Sequence, residues 1–381
     1  MGRIQKVIQT RWLLAVVLLT GLAARLAMVR FGSNFDFESW RIVAGIMHHG
    51  GNVYAETRRY NYGPVWFWLL GGMNWLAGDD PRIFRYLIVG LLSAADVGIF
   101  WMVRRRYGMA AGMLFFLNPV SIIITGFHNQ FDNLAICLGL MAVMLWGEQN
   151  EQPVTGRKWL GLLVLGVSLM TKHLLFIFPL WLAVKQRGWR QKLLLLAVPV
   201  GCFVLGFVPY WSVGHDGILV NVFDYHSTMN RLFYRFYLPE CIQCLIDAQV
   251  VWYVILVLLA FYCRQRNGFE SLLVYLGAVL AFSPSTVNEY LVIPIAFIAV
   301  CPNAFFYLYS TLCTVHLCVD QKNGLGLWPV NVYYINYAAI FVLCLGMFWH
   351  FWRRPVCEAL GRGVREVIKR FCATRFYAGE K

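Results

Sequence analysis

The chain has 381 residues, of which 59% are hydrophobic and only 14% charged, and its formal net charge is +14. A water-soluble domain of this length could not bury so many apolar residues, so the composition predicts an all-α polytopic membrane protein. The excess of Lys and Arg lies in short segments between apolar stretches and in the tail from Arg353 to Lys381. Because cytoplasmic loops are rich in these residues, the placement indicates membrane topology and not binding to nucleic acid.

The apolar stretches predict about 12 transmembrane helices with both termini in the cytoplasm. Arg3, Lys6 and Arg11 place the N-terminus inside, and no small-residue cleavage site follows the first apolar stretch, which we therefore interpret as a retained span. The predicted spans lie at about residues 12–30, 82–103, 108–126, 133–147, 159–171, 173–185, 193–211, 249–263, 269–283, 287–301, 303–319 and 330–352.

The first outer loop, residues 31–81, is predicted to carry amphipathic surface helices instead of a further span. The segment from Val65 to Leu76 has about 12 residues, which is short for a transmembrane helix and typical of an interfacial one. Gly63 and Pro64 before it favour the start of a helix. If this segment crossed the membrane, Arg104-Arg105-Arg106 would lie on the outer face, against the expected distribution of charge.

Two acids, Asp36 and Glu38, open this loop where the first span emerges from the membrane. A carboxylate beside the bilayer can act as a general base on a substrate held at the membrane surface. The alternative is a solvated helix start, since acidic residues favour the first turn of a helix. Residues i and i+2 of a helix point about 200° apart, so at most one acid can be the base, and we expect Asp36.

Further polar residues are predicted on the outer face, where polar groups at membrane depth usually serve a site or a water-filled cavity. Lys172 joins two short spans and is either recessed or extended toward the lipid head groups. Arg231 and Arg235 are spaced i, i+4 among aromatic residues, which suits an interfacial helix or the binding of a lipid phosphate. His128 and Asp132 have the same spacing, as two metal ligands or a helix cap would.

One acid, Asp96, lies deep inside a predicted span, where we expect either an ion pair with Arg25 or Arg85, a contact with the polar backbone or a role in function. The chain has 11 cysteines, most of them within apolar stretches, where Cys packs as a small hydrophobic residue. Cys241 and Cys244 lie in a predicted loop and could form a disulfide if that loop is extracytoplasmic.

Several motifs between about residues 10 and 210 occur in a recognisable order. They are Asp36-x-Glu38, Asn61-Tyr62-Gly63-Pro64, Arg104-Arg105-Arg106-Tyr107-Gly108, Leu117-Asn118-Pro119, His128-Asn129-Gln130-Phe131-Asp132-Asn133 and Met170-Thr171-Lys172-His173. Together they resemble the GT-C superfamily, integral-membrane glycosyltransferases that use polyprenyl-phosphate sugars. The segment from His128 to Asn133 is similar to the second-loop motif of the dolichol-linked glucosyltransferases and their bacterial relatives.

The resemblance implies a GT-C-like fold and an inverting displacement, with Asp36, or Glu38 as the alternate, as the catalytic base. The leaving group is already a phosphate and needs positive charge, which we expect from donor-binding residues Lys172, His173, Arg231 and Arg235. The residues expected to bind substrate are Tyr62, His128, Gln130, Asp132 and Glu289. The only cofactor to be considered is a divalent cation, Mg²⁺ or Mn²⁺, although the chain lacks a strict Asp-x-Asp in its first outer loop.

The implied function is transfer of a hexose of the glucose or mannose class from a polyprenyl-phosphate donor to a lipid-linked or surface glycan acceptor. The short loops favour a bacterial inner membrane. We divide the chain into a GT-C transmembrane module at residues 1–211, with loop 31–81 as its catalytic part. A variable transmembrane module follows at 212–352 and a basic cytoplasmic tail at 353–381.

Two other classes of membrane protein remain as alternatives. A Wzy-type polysaccharide polymerase or O-antigen ligase would depend on a late outer loop with Arg and His, which His226, Arg231 and Arg235 in loop 212–248 partly match. A transporter or flippase would show paired repeats and ionisable groups near the middle of the membrane. The acidic first loop fits neither class as well as it fits a glycosyltransferase.

Overall fold

The computed structural model describes residues 2–147, 154–225, 238–247, 249–328 and 334–352, and within these ranges the regular structure is entirely helical. The α-helices are α1 Gly2–Met28, α2 Phe35–His48, α3 Val53–Glu56, α4 Pro64–Ala77, α5 Pro81–Tyr107, α6 Met109–Phe116, α7 Pro119–Ile123, α8 Asp132–Trp146, α9 Gly156–Thr171, α10 Phe178–Ala183, α11 Trp189–Leu205, α12 Trp211–Ile218, α13 Glu240–Asp247, α14 Val250–Tyr262, α15 Gly268–Ala281, α16 Ile295–Val300, α17 Ala304–Val319 and α18 Tyr334–Trp352. Short 3₁₀ segments lie at Val29–Phe31, His173–Leu175, Val208–Tyr210 and Asn288–Val292, and π-helical turns at Ile124–His128 and Leu219–Phe223.

Four helical stretches in the described part of the chain are long and apolar enough to cross a membrane: Arg11–Phe31, Pro81–Tyr107, Trp189–Phe223 and Tyr334–Trp352. The number rises to six if each of two bent pairs, Met109–Phe116 with Pro119–His128 and Glu240–Ile246 with Val250–Tyr262, forms one span. Four shorter apolar helices of 10–17 residues accompany them. The chain is therefore an integral membrane protein, and the count of about 12 spans stays a prediction.

One predicted loop boundary is wrong. The outer loop expected from residue 212 onward is helical as far as Phe223, because α12 and the π-helical turn that follows it continue directly from α11. Pro209 does not end this stretch, since it occupies the start of a short 3₁₀ segment, where its missing N–H is tolerated. The predicted arginines Arg231 and Arg235, His226 and the tail 353–381 lie outside the described residues. Cys241 and Cys244, on α13, are both free and exposed.

The segment predicted as the first outer loop folds into three helices, α2, α3 and α4, and their position at the membrane surface stays a prediction. Asn34 caps α2 by accepting a hydrogen bond from the Phe37 N–H, and Asn52 caps α3 in the same way through Tyr54. Pro64 stands in the first turn of α4, and Gly78, in the left-handed region at φ 58°, ends it. At 14 residues α4 is shorter than the candidate spans.

A close backbone approach joins this loop to the end of α9. A Cβ atom added to Gly63 would collide with the carbonyl oxygen of Met170, so only glycine allows the two segments to meet. The hydroxyl of Tyr60 donates to Gly63 O at 2.6 Å, and that of Tyr54 donates to Tyr62 O at 2.9 Å. These contacts fix Tyr62 beside the residues that follow Met170.

A buried ion pair ties the first span to the second. Arg25 Nε donates to Asp96 Oδ2 at 2.7 Å, and both side chains are fully buried. The Asp96 carboxylate also accepts from Thr125 Oγ1 at 2.7 Å and from Asn133 Nδ2 at 2.6 Å. Arg25 donates further to Ser121 Oγ. Of the two partners predicted for Asp96, the structure shows Arg25. The network joins α1 and α5 to α7, to the π-helical turn after it and to the start of α8.

Replacement of Arg25 by Met is expected to lower the free energy of unfolding by about 3–5 kcal/mol, because it leaves the buried Asp96 without its counter-charge. Unfolding in mixed detergent micelles, followed by circular dichroism, measures the change. Arg30→Gln is the control, since Arg30 is exposed and its replacement should alter stability by no more than about 0.5 kcal/mol. Equal losses for both variants would contradict a specific role for the pair.

Candidate active site

Three ionisable side chains from distant parts of the sequence converge near the start of α2. They are Asp36 in the first turn of α2, His128 at the end of a π-helical turn, and Glu289 in the 3₁₀ segment Asn288–Val292. One carboxylate oxygen from each acid and one imidazole nitrogen lie within 4.8 Å of one another. His128 is fully buried, whereas Asp36 and Glu289 are partly exposed. The cluster therefore combines two acids with a ring nitrogen at a site that a substrate can reach.

Asn34 organises this cluster, although the sequence analysis did not identify it. Its Oδ1 accepts the capping hydrogen bond from Phe37 N at 3.2 Å, so its Nδ2 must be the donating atom. Nδ2 donates to Asp36 Oδ2 at 2.9 Å and lies 3.1 Å from His128 Nδ1. His128 Nδ1 is therefore an acceptor, and the neutral ring carries its proton on Nε2. One amide thus fixes the carboxylate orientation and the imidazole tautomer together.

The segment that carries His128 leaves regular helix geometry and is held by donors from two other helices. Asn129 adopts the left-handed conformation at φ 57°, and its carbonyl accepts from Trp40 Nε1 at 3.2 Å. Arg85 donates to Asn129 Oδ1, to Val29 O and to Phe127 O at 3.1–3.2 Å. Because the helix is interrupted here, His128 and Asp132 lie on different elements and do not share the single helical face that their i, i+4 spacing had suggested.

Asp132 instead forms a buried ion pair with Lys172. Lys172 follows the last residue of α9 in an extended conformation, and its Nζ donates to Asp132 Oδ2 at 2.7 Å. The side chains are 5% and 0% exposed, so neither charge is solvated by water. The ammonium lies 5.1–5.4 Å from the ring centroids of Tyr62, Phe131 and Tyr290, close enough for cation–π attraction. The structure thus places Tyr62, Asp132 and Lys172 together, in contact with Tyr290, which directly follows Glu289 in the chain.

Several buried polar atoms around these residues have no hydrogen-bond partner within the described part of the chain. They are His128 Nε2, Gln130 Oε1, Asp132 Oδ1, Asn133 Oδ1 and His173 Nδ1. Buried polar atoms are nearly always paired, so unpaired ones concentrated in one region indicate a place where water or the hydroxyl groups of a substrate complete the bonding. Four of these atoms belong to residues predicted to bind substrate or donor, and the fifth, Asn133 Oδ1, belongs to the direct neighbour of Asp132.

A second polar network supports Glu289 from behind. The neighbouring Asn288 donates through Nδ2 to Asp320 Oδ2 at 2.7 Å, and its Oδ1 lies 2.8 Å from His316 Nε2. Burial would raise the pKa of Asp320, but hydrogen bonds from Asn288 and from two backbone N–H groups outweigh it and hold that pKa below its usual range. Asp320 is therefore an anion at neutral pH and anchors the 3₁₀ segment that carries Glu289.

The alternate base, Glu38, lies apart from the cluster. It is 48% exposed and pairs with Arg41 at 3.2 Å on the outer surface of α2. Asp36 and Glu38 thus point in different directions, as their spacing required. His173 begins a 3₁₀ segment next to Lys172, and its ring lies 6.3 Å from that of Tyr62.

Replacement of Lys172 by Met is expected to destabilise the protein by about 3–5 kcal/mol, because the buried Asp132 loses its counter-charge. Adding Asp132→Asn to this variant removes the unpaired charge and should restore most of the loss. Unfolding in detergent micelles measures both variants, with Lys192→Met at an exposed position as the control. The pairing is contradicted if Lys172→Met is as stable as the control.

Two solved structures match the chain: ArnT from Cupriavidus metallidurans in the apo state, with a TM-score of 0.52, and ArnT from the same organism bound to undecaprenyl phosphate, with a TM-score of 0.51. In each case the match covers 90% of this chain and 76% of ArnT, at 17% sequence identity. Comparisons with protein-family models and with curated protein sequences gave no match. At such low identity the likeness shows the fold. The all-α, GT-C-like architecture predicted from the motifs is thereby confirmed, and the chain has the fold of ArnT.

Proposed function

We propose that this protein is a glycosyltransferase that moves a sugar from a polyprenyl-phosphate donor to an acceptor hydroxyl, with Asp36 as the general base. The observation that carries the proposal is the convergence of Asp36, His128 and Glu289, with the buried Lys172 in contact with Tyr290, the residue after Glu289. In ArnT the same fold binds undecaprenyl phosphate. An acid and a buried cation in one site match the two requirements of the reaction, a base for the acceptor and positive charge for the departing phosphate.

Asp36 is suited to accept the acceptor's proton. Asn34 donates to its Oδ2, which holds the carboxylate in place for the acceptor hydroxyl. As that proton moves to Asp36, the acceptor oxygen forms a bond to the anomeric carbon. The bond between this carbon and the phosphate oxygen breaks, and the phosphate keeps the electron pair. Attack from the face opposite the phosphate inverts the anomeric configuration.

Lys172 is suited to stabilise the phosphate as it leaves. Its ammonium is buried, so its field is screened far less than that of a surface lysine. Asp132 and the three aromatic rings hold the ammonium in position before the donor arrives, so little reorganisation is needed during the reaction. The unpaired polar atoms of Gln130 and Asp132 are suited to accept hydrogen bonds from sugar hydroxyls.

The finer features of the proposal come from the motif resemblance. We retain a hexose of the glucose or mannose class as the sugar and a lipid-linked or surface glycan as the acceptor. We also place the reaction on the extracytoplasmic face of a bacterial inner membrane. The His and Arg residues on which the polymerase or ligase alternative depends lie outside the described residues.

Asp36, His128 and Glu289 also fit a divalent cation. Two carboxylates and an imidazole are a donor set that Mn²⁺ accepts, and Mg²⁺ binds the carboxylates. Because His128 Nδ1 accepts a hydrogen bond from Asn34, the two acids would be the principal ligands and the imidazole would bind through that atom only after this bond is released. A bound cation would help to neutralise the donor phosphate.

Asp36→Asn is expected to reduce sugar transfer by about 10²–10⁴-fold, because an amide cannot accept the proton of the acceptor. The assay supplies proteoliposomes with a panel of polyprenyl-phosphate sugars, including glucose and mannose, and measures the release of polyprenyl phosphate. The matched control is Glu38→Gln, two residues away and solvent-exposed, which should retain activity within about twofold.

Two results would contradict the proposed reaction. Wild-type activity in Asp36→Asn would show that Asp36 is not the general base. Movement of the donor lipid across the membrane without release of polyprenyl phosphate would favour the flippase alternative instead.

Mn²⁺ is expected to bind the wild-type protein and to lose most of its affinity in Asp36→Asn and in Glu289→Gln, with a smaller loss in His128→Gln. Electron paramagnetic resonance of free Mn²⁺ measures binding without depending on catalysis. Equal Mn²⁺ binding by wild type and by the Asp36→Asn/Glu289→Gln double variant would show that the cluster is not a cation site.

A further inference from the structure

A shallow cavity of about 530 Å³, open to the protein surface, lies at the opposite end of α5 from the candidate active site. It is lined by Trp101, Arg104, Arg105 and Met109. Arg85, which holds the active-site segment, stands near the start of the same helix, so the two ends are separated by ~28 Å at the helical rise of ~1.5 Å per residue. The cavity is therefore a separate feature that the proposed transferase chemistry does not use.

The described residues supply no counter-charge for the arginines of this cavity. Among the residues that the structure describes, no carboxylate lies within ion-pair distance of Arg104 or Arg105. Arg104 stacks on the Trp101 ring at 4.9 Å, while Arg105 is exposed. The next arginine differs, because the Arg106 guanidinium lies 5.3 Å from the Phe269 ring and interacts with the Tyr107 hydroxyl. Of these three consecutive arginines, Arg104 and Arg105 line the cavity, whereas Arg106 does not.

The surroundings of the cavity match the depth of lipid head groups. It lies at the end of the candidate span Pro81–Tyr107, and the half-exposed Trp101 is typical of the boundary between head groups and acyl chains. Two guanidinium groups match the geometry of a phosphate, and Trp101 and Met109 offer apolar surface beside them. Basic pockets between transmembrane helices are suited to anionic lipid head groups.

We propose that this cavity binds the phosphate head group of an anionic glycerophospholipid. Arg104 and Arg105 hold the phosphate, and Trp101 and Met109 contact the glycerol region and the first part of an acyl chain. Neutral lipids with a choline head group bind less well, because their own cation repels the two arginines.

Native mass spectrometry of the full-length protein, purified in detergent and titrated with phosphatidylglycerol or phosphatidylcholine, tests this site. Wild type should retain phosphatidylglycerol in preference to phosphatidylcholine. The double variant Arg104→Gln/Arg105→Gln should bind phosphatidylglycerol roughly thirtyfold more weakly and the single variant Arg105→Gln about fivefold more weakly. If the double variant does not fold, the single variant at the exposed position decides the question.

The matched control is Arg106→Gln, which removes the same charge from the adjacent position and should retain the preference for phosphatidylglycerol. Three results of the lipid titrations would overturn the proposal: equal retention of both lipids by wild type, unchanged lipid binding by the Arg104 and Arg105 variants, or an equal loss in Arg106→Gln. Inorganic phosphate is titrated as a competitor. Full displacement of the lipid by millimolar phosphate would show an anion site and not a lipid site.

Discussion

A charge buried at membrane depth must find its partner within the protein, and this constraint organises the described structure around one short segment. The residues from Thr125 to Asn133 form hydrogen bonds with Arg85 and Asp96 on α5 and with Lys172 at the end of α9. Each of these groups would be costly to bury alone. Their pairing holds the segment outside regular helix geometry, and that irregular backbone presents His128 to Asp36.

The irregular segment also explains how one side of the fold can be both stable and reactive. Asp96 is fully engaged by Arg25, Thr125 and Asn133, so it serves as a structural anchor. Between Thr125 and Asn133 in the sequence, Gln130 and Asp132 have polar atoms without a hydrogen-bond partner among the described residues. Polar groups whose hydrogen bonds are complete thus lie next to polar groups with unpaired atoms along the chain. The first set fixes the backbone so that the second can be held ready for a substrate.

The sequence was informative where the signal was local. Hydrophobicity and the acids after the first span predicted a polytopic fold and the position of Asp36, and the depth of Asp96 predicted a cationic partner.

The sequence was not informative where contacts join distant residues. Glu289 is distant from Asp36 in the sequence but lies close to it in the structure. The 3₁₀ segment that carries Glu289 is held by the hydrogen bond between Asn288 and Asp320. The regular i, i+4 spacing of His128 and Asp132 was misleading, since the left-handed Asn129 between them separates their side chains. The role of Asn34 was not predicted, because the sequence does not show that one amide side chain caps α2 and also contacts Asp36 and His128.

A structure of the protein with a non-transferable polyprenyl-phosphate sugar tests the central claim most directly, namely that Asp36 and Lys172 belong to one donor site. The account predicts that the phosphate contacts Lys172 Nζ and that the anomeric carbon faces the Asp36 carboxylate. A phosphate bound elsewhere, for example at Arg104 and Arg105 on the other end of α5, with no ligand beside Asp36, would contradict it.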